Sequence, residues 1–156
     1  MEKSRTAKRT GRARSTVIDA HQHVFWHGYD DRALVENMDR RKATGRTADE
    51  LAAAFDRVRE AGLCLDVGHA RQHDPSMAGA RLILERFGDR LREVHLSHVT
   101  SGSAHERLSP AAISAVREVA ALIPEHVPVV LETPVTEEQI DEELRVAREA
   151  LDIGGG

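Results

Sequence analysis

The sequence predicts an α/β fold, a partial (β/α) barrel of about five parallel strands and four helices that lacks its N-terminal strands. Three observations lead there. Short apolar runs alternate with amphipathic patterns of helical length, which is how parallel βαβ units read in sequence. Four of the runs end in a residue able to ligate a metal: Ala33-Leu34-Val35 in Glu36, Leu63-Cys64-Leu65 in Asp66, Val94 in His95, and Val129-Val130-Leu131 in Glu132. Barrels carry their chemistry at the C-terminal ends of their strands, so this recurrence is the pattern of a barrel site. Finally, 156 residues fall short of the roughly 250 of a closed eight-unit barrel. Five parallel strands cannot close that cylinder, so an open sheet, a barrel completed by a partner and a piece of a larger protein are the options, and the piece is favoured.

The elements follow in order. Residues 1–15 are basic, contain Ser and Thr, lack apolar periodicity and read as a disordered tail; residues 16–151 are the barrel domain and 152–156 a flexible end. Ser15 to Ala20 is a β-branched strand leading into a loop with His21, His23, Phe25, Trp26 and His27. Ala33 to Glu36 is the second strand, followed by Asn37 to Lys42, a loop over the site that is too polar to be core. Thr47-Ala48-Asp49-Glu50 is a capping box with Leu51, Phe55 and Val58 at helical spacing behind it, and Gly62 reads as the helix stop. The third strand runs into Asp66 and His69. A polar loop, His73 to Ser76, then opens a helix with Met77, Ala80, Leu84 and Phe87 on its apolar face.

Leu91 to Leu96 is the fourth strand, and Thr100 to Arg107 carries Ser-Gly-Ser turn chemistry. Ser109-Pro110 marks a helix start, N-cap followed by proline, whose helix stops at Pro124. Val127 to Glu132 is the last strand. Thr136-Glu137-Glu138-Gln139 is a second capping box, ahead of Ile140, Leu144, Ala147 and Leu151.

Composition excludes several function classes. The single cysteine, Cys64, lies in an apolar strand, so no intrachain disulfide can form and a reducing, cytoplasmic setting is expected. No stretch reaches the roughly 18 apolar residues of a membrane span, and no apolar segment follows the basic start as in a secretion signal. The net charge of -4 is unevenly placed: the first 15 residues carry six basic side chains against Glu2, leaving the body at -9. An acidic body does not suit nucleic acid, which leaves that reading to the tail, where a solvated extension is the simpler account.

The chemistry is concentrated in the nine histidines and the strand-end carboxylates. Hard carboxylate oxygens beside borderline imidazole nitrogens suit a divalent ion such as manganese, cobalt, zinc or magnesium. Glu36, Asp66, His95 and Glu132 are the inner set, each from a different strand end. A lone Glu after a strand is ordinarily a loop carboxylate, but four at equivalent positions are harder to dismiss. His69 lies within reach as a ligand or a substrate contact, and His105 is a further candidate ligand. His98 and His105 sit in a loop where solvation alone would explain them, and His73 and His126 read as surface residues. His21 and His23 form an H-x-H pair whose alternate side chains share one face of an extended chain, so either could reach a metal or substrate.

Taken together, Glu36-Asn37-Met38-Asp39, Leu63-Cys64-Leu65-Asp66-Val67-Gly68-His69-Ala70, Arg90 to Ser97 around Val94-His95-Leu96, and Val129-Val130-Leu131-Glu132 resemble successive strand motifs of the xylose isomerase-like TIM barrels. That superfamily groups sugar-phosphate isomerases and epimerases with endonuclease IV (AP endonuclease family 2) enzymes. The resemblance spans roughly residues 16–135. For an epimerase it implies one metal held by Glu36, Asp66, His95 and Glu132, with Glu36 and Glu132 as the catalytic acid/base pair about a metal-stabilised enediolate. His69 and His21 would contact the substrate, a small sugar or sugar phosphate.

The endonuclease IV branch implies a three-metal cluster with an Asp-x-His after the Val-His-Leu strand. Here that loop reads Ser103-Ala104-His105, without the Asp, so the single-metal site is the better match. Three other readings stay open: an amidohydrolase-like hydrolase from the H-x-H opening, an inactive barrel remnant, and a homo-oligomer that supplies the missing barrel half.

Overall fold

The structure, a computed structural model, describes residues 33–151 and the backbone of residues 24–26. The predicted strand at 15–20, His21, His23 and both tails lie outside the described residues.

Four strands and four helices recur in the predicted order, and an added strand, an added helix and a hairpin alter the count. Strand β1 (Val24–Trp26) lies where a loop was expected and pairs antiparallel with β2 (Ala33–Glu36). A short helix, α2 (Val67–His73), follows β3 (Gly62–Asp66) directly, where no helix was expected. With α1 (Ala48–Arg57), α3 (Ala78–Phe87), α4 (Pro110–Ala120) and α5 (Ile140–Leu151), five helices are described. The remaining strands are β4 (Leu91–Leu96), the hairpin β5 (His98–Val99) and β6 (His105–Glu106), and β7 (Val129–Leu131). The main sheet runs β1-β2-β3-β4-β7, and β2, β3, β4 and β7 are mutually parallel.

The two faces of this sheet differ in kind. Val35, Leu63, Leu65, Val94 and Leu96 pack in one cluster with Leu51 and Phe55 of α1, Ile83 and Leu84 of α3, and Val116 and Val119 of α4. Burying side chains of this size contributes roughly 1.5–3 kcal/mol each, so this layer carries most of the stability. The opposite face bears Leu34 and Cys64 as a separate small apolar pair, and with them the polar residues of the site. One irregularity sorts the residues of β4. Leu63 faces Leu91 across the ladder, but Cys64 faces Glu93, so Arg92 is the extra residue of a bulge. Leu91 therefore joins the helix-packed core while Glu93 and His95 share the other face.

Local chemistry explains the helix boundaries. Thr47 Oγ1 accepts from Glu50 N at 3.3 Å, as predicted, but the Glu50 carboxylate accepts from Arg46 N at 2.7 Å rather than from the cap itself. Ser109 Oγ accepts from Ala112 N at 3.2 Å with Pro110 next to it, and the Gln139 side chain accepts from Thr136 N at 3.2 Å. Several boundaries differ from expectation, among them the last strand, expected over Val127 to Glu132 and observed as Val129–Leu131. Gly62 is not a helix stop but the first residue of β3, where a Cβ would meet Arg92 Cγ at 2.6 Å and Leu34 Cδ2 at 2.8 Å. Helix α4 ends at Ala120, short of Pro124, and Val58 is the C-cap of α1 rather than a helical residue. Met77 precedes α3 in the left-handed region, φ 60°, and is fully buried there.

Helix α5 is tied to the site side of the molecule by one carboxylate. Glu143, only 1% exposed, accepts from Arg107 Nε at 2.9 Å and from Leu108 N at 2.6 Å. Glu143→Ala leaves the Leu108 amide unpaired and is expected to cost about 1–3 kcal/mol in urea unfolding, while Glu143→Gln, which keeps an acceptor, costs less.

Candidate metal centre

Four strand ends converge on one place. Glu36 terminates β2, Asp66 terminates β3, His95 lies in β4, and Glu132 follows β7, where its amide donates to Leu96 O at 3.0 Å. The register sets them side by side: Glu36 is level with Cys64, Asp66 with His95, and His95 with Val130, two residues short of Glu132. Because alternate residues share a face, Glu36, Asp66, His95 and Glu132 all project to the polar side. One ligand atom from each lies within 4.8 Å of the others.

Individual contacts are close. His95 Nδ1 lies 3.4 Å from Glu36 Oε1 and 3.2 Å from Glu132 Oε1. His69 Nδ1 lies 3.5 Å from Asp66 Oδ2 and 3.8 Å from Glu36 Oε1. The two oxygens of Asp66 serve different ends, for Oδ1 caps α2 by accepting from His69 N at 2.7 Å while Oδ2 is left facing the cluster. The Asp-Val-Gly-His order makes this possible, since α2 packs so closely that a Cβ on Gly68 would meet Val99 Cγ2 at 2.5 Å and Ser97 O at 2.9 Å.

The fit to a cation can be tested on the donor atoms. Among the described residues, Glu36 Oε1, Asp66 Oδ2 and Glu132 Oε2 are buried oxygens without a hydrogen-bond partner. Leaving a carboxylate oxygen so is costly, and three in one place fit a divalent cation held by Glu36, Asp66, His95 and Glu132. His95 Nδ1, 3.4 Å from Glu36 Oε1 and 3.2 Å from Glu132 Oε1, is close enough to both for the three atoms to share one ion.

The electrostatics of the metal-free cluster agree. Burial pushes the Asp66 carboxyl up to about 6, with the His69 ring opposing and the Glu36 charge adding to the rise. Burial works against the charged His69 ring, but the Asp66 and Glu36 carboxylates outweigh it and raise its pKa. For His95 burial again opposes, and the Cys64 side chain with Glu132 and Glu36 holds the ring well above its ordinary value. Burial would raise Glu132, yet its bond and charge interaction with His95 bring it below the usual carboxylate range.

The surrounding residues include several that sequence reading did not single out. Glu93 Oε1 lies 2.6 Å from His95 Nε2, which fixes the ring and leaves Nδ1 turned to the cluster. Its signal was present: Glu93 and His95 are two apart on one strand, hence on one face. Asn37 is fully buried, with Nδ2 donating to Asp66 O at 2.9 Å and Oδ1 accepting from Asp66 N at 2.7 Å. This pair extends the β2–β3 ladder one step with a side chain, and His69 Nδ1 lies 3.0 Å from Asn37 O. The expectation that Asn37 to Lys42 is too polar for the core is thus corrected for Asn37 and Asp39, buried with their polar groups paired, and for Met38, an apolar side chain buried between them. Glu93→Gln is expected to weaken divalent-metal binding about 10- to 100-fold, read by calorimetric titration, with little change in the metal-free melt.

His98 and His105 do not lie in an irregular loop. They stand on the β5–β6 hairpin, His98 opposite Glu106 and Val99 opposite His105. His98 Nδ1 is 2.6 Å from Ser109 Oγ, outside the cluster. His105 does reach it: Nδ1 lies 2.9 Å from Ser97 Oγ and 3.6 Å from Glu132 Oε2, and its ring meets His69 edge-on at 5.5 Å between centroids. The missed helix α2 holds this hairpin, as Arg71 donates to Val99 O at 2.9 Å and Gln72 Nε2 to Thr100 O at 2.7 Å. Gln72 Oε1 accepts from Arg40 N at 3.0 Å, so one side chain joins both loops over the site.

Comparison with protein families sets this geometry in context. The model of the xylose isomerase-like TIM barrel matches residues 4–150. The chain belongs to the xylose isomerase-like TIM barrel family. Membership supports an enzyme of the sugar-processing or a related kind, and the partial barrel described above is its fold. A search of curated proteins finds no match. Among the described residues no helix is long and apolar enough to cross a membrane.

Proposed function

We propose that the chain acts as a divalent-metal-dependent isomerase or epimerase on a small sugar or sugar phosphate. The observation that carries this reading is the convergence of Glu36, Asp66, His95 and Glu132 from four strand ends, with three buried carboxylate oxygens unpartnered among the described residues. A divalent ion held there supplies Lewis acidity to adjacent carbonyl and hydroxyl oxygens, which makes the intervening C–H bond acidic.

The proton is then moved by the protein. Glu132, with 22% of its side chain exposed, is the more open member of the carboxylate pair, and Glu36, at 1%, the more buried. Glu132 takes a proton from carbon on one face and Glu36 returns one on the other, the pair exchanging roles in the reverse direction. His69 orients a substrate oxygen. His21 is the further candidate for substrate contact, in the segment outside the described residues.

The test is solvent isotope exchange. The metal-loaded chain, incubated in D2O with a panel of ketoses and their phosphates, is expected to incorporate deuterium at the carbon next to the carbonyl of at least one, as followed by NMR. A second reading, an endonuclease IV-like hydrolase, is favoured by one observation: Asp66, His69 and His105 form a second group with ligand atoms within 4.8 Å. Cleavage of abasic-site DNA by the metal-loaded chain, with no exchange into any sugar, would decide for it.

A further inference from the structure

Cys64 lies on the inner face of the sheet, and the proposed reaction does not use it. It is fully buried, sits on β3 one pleat below Asp66, and is level with Glu36 on one side and Glu93 on the other. Its sulfur, one Glu36 oxygen and one His95 nitrogen lie within 4.8 Å of one another. Glu36 supplies an oxygen to both groups, and its Oε1, on a side chain 1% exposed, has no hydrogen-bond partner among the described residues. Sulfur, nitrogen and oxygen donors at this spacing form a set distinct from the oxygen-rich group above it.

We infer that Glu36, Cys64 and His95 form a second, thiolate-containing metal position that takes a thiophilic divalent ion such as zinc or cadmium. The inference rests on reading the cluster as a metal centre. Glu36 and His95 belong to both groups, so the two positions are alternatives for one ion and not sites for two. Manganese or magnesium, preferring oxygen, takes the Glu36-Asp66-His95-Glu132 position, and a softer ion moves one pleat down the barrel face to the sulfur. On binding, the Cys64 thiol releases its proton to solvent and its sulfur forms the bond to the ion; no oxidation occurs. The choice of metal thereby sets whether the carboxylates face an ion at the substrate level or below it.

The experiment uses the full chain, made metal-free and titrated separately with Mn2+ and Cd2+. Cadmium is expected to produce a thiolate-to-metal charge-transfer band in the ultraviolet that saturates at an equimolar ratio, and to release bound Mn2+, seen as a rise in the free-ion EPR signal. Cys64→Ser is expected to abolish the band and to weaken cadmium binding roughly ten-fold or more, while Mn2+ affinity changes less than about three-fold. The band is read on the unaltered chain, so the test stands even if a substitution at this buried position destabilises the fold. Cadmium binding without a thiolate band, or cadmium and manganese bound together, overturns the inference and leaves the four-residue centre standing. Failure of the unaltered chain to bind either ion overturns both.

Discussion

Replacing Asp66 by Asn is expected to do two opposite things: lower divalent-metal affinity by about two orders of magnitude, and make the metal-free protein more stable. The first follows because Oδ2 is one of four converging ligand atoms and the amide is a far weaker donor to a hard cation. The second follows from the pKa of about 6 that burial imposes on this carboxyl. Unfolded, Asp66 ionises near its ordinary value of 3.8, whereas folded and metal-free it holds its proton to about 6. The unfolded state thus loses its proton first, and stability falls as pH rises from about 4 through about 6, then levels off. Asparagine keeps a side-chain oxygen to cap α2 and carries no charge to bury, so the gain is of order 1–3 kcal/mol above pH 6 and vanishes near pH 4.

Metal addition should show the same dependence in the unaltered chain. Protons compete with the cation for Asp66, so the rise in melting temperature on saturating Mn2+ is largest at pH 7 to 8 and shrinks as pH drops through about 6. Thermal melts of both proteins at three pH values, with and without metal, check every part of this. Equal metal-free stability of Asp66→Asn and the parent at neutral pH would contradict the cost of charge assigned to this buried carboxylate.

Glu36→Gln and Glu132→Gln carry the largest expected effect on rate. Each glutamine keeps shape and a ligating oxygen but cannot accept the proton, so interconversion of substrate and product should fall by about 10²- to 10⁴-fold for either variant. Metal affinity should also fall, as for Asp66→Asn, so the rates are compared at saturating metal. The two variants are expected to differ in one respect: Glu132 is the more exposed member, so Glu132→Gln raises KM more than Glu36→Gln does. Near-normal interconversion by Glu36→Gln would remove it from the proton-transfer pair and leave it a ligand only.

The sequence alone determined what depends on neighbours along the chain. Strand β2 and strand β4 have the predicted bounds, because an apolar run cut off by a polar residue needs no distant information. The starts of α1 and α4 are likewise where Thr47 and Ser109 put them, since a cap is a bond between residues three apart. The inner ligand set was legible for a related reason: once the strands are parallel and level, residues at their C-terminal ends must meet.

Only the tertiary structure decided the rest. Helix α2 was invisible because its seven residues carry no apolar stripe; four of them are buried by packing against β4 and α4, and the helix begins where Asp66 happens to cap it. Asn37 looked like loop because its polarity is satisfied by the backbone of Asp66, 29 residues away. The bulge at Arg92 turns Glu93 and His95 to the face opposite Leu91, a step that no alternation rule foretells. The placing of His105 beside Glu132, and of Cys64 beside Glu36, likewise depends on a hairpin and a strand register. Those are contacts between segments distant in sequence, formed when the sheet assembles.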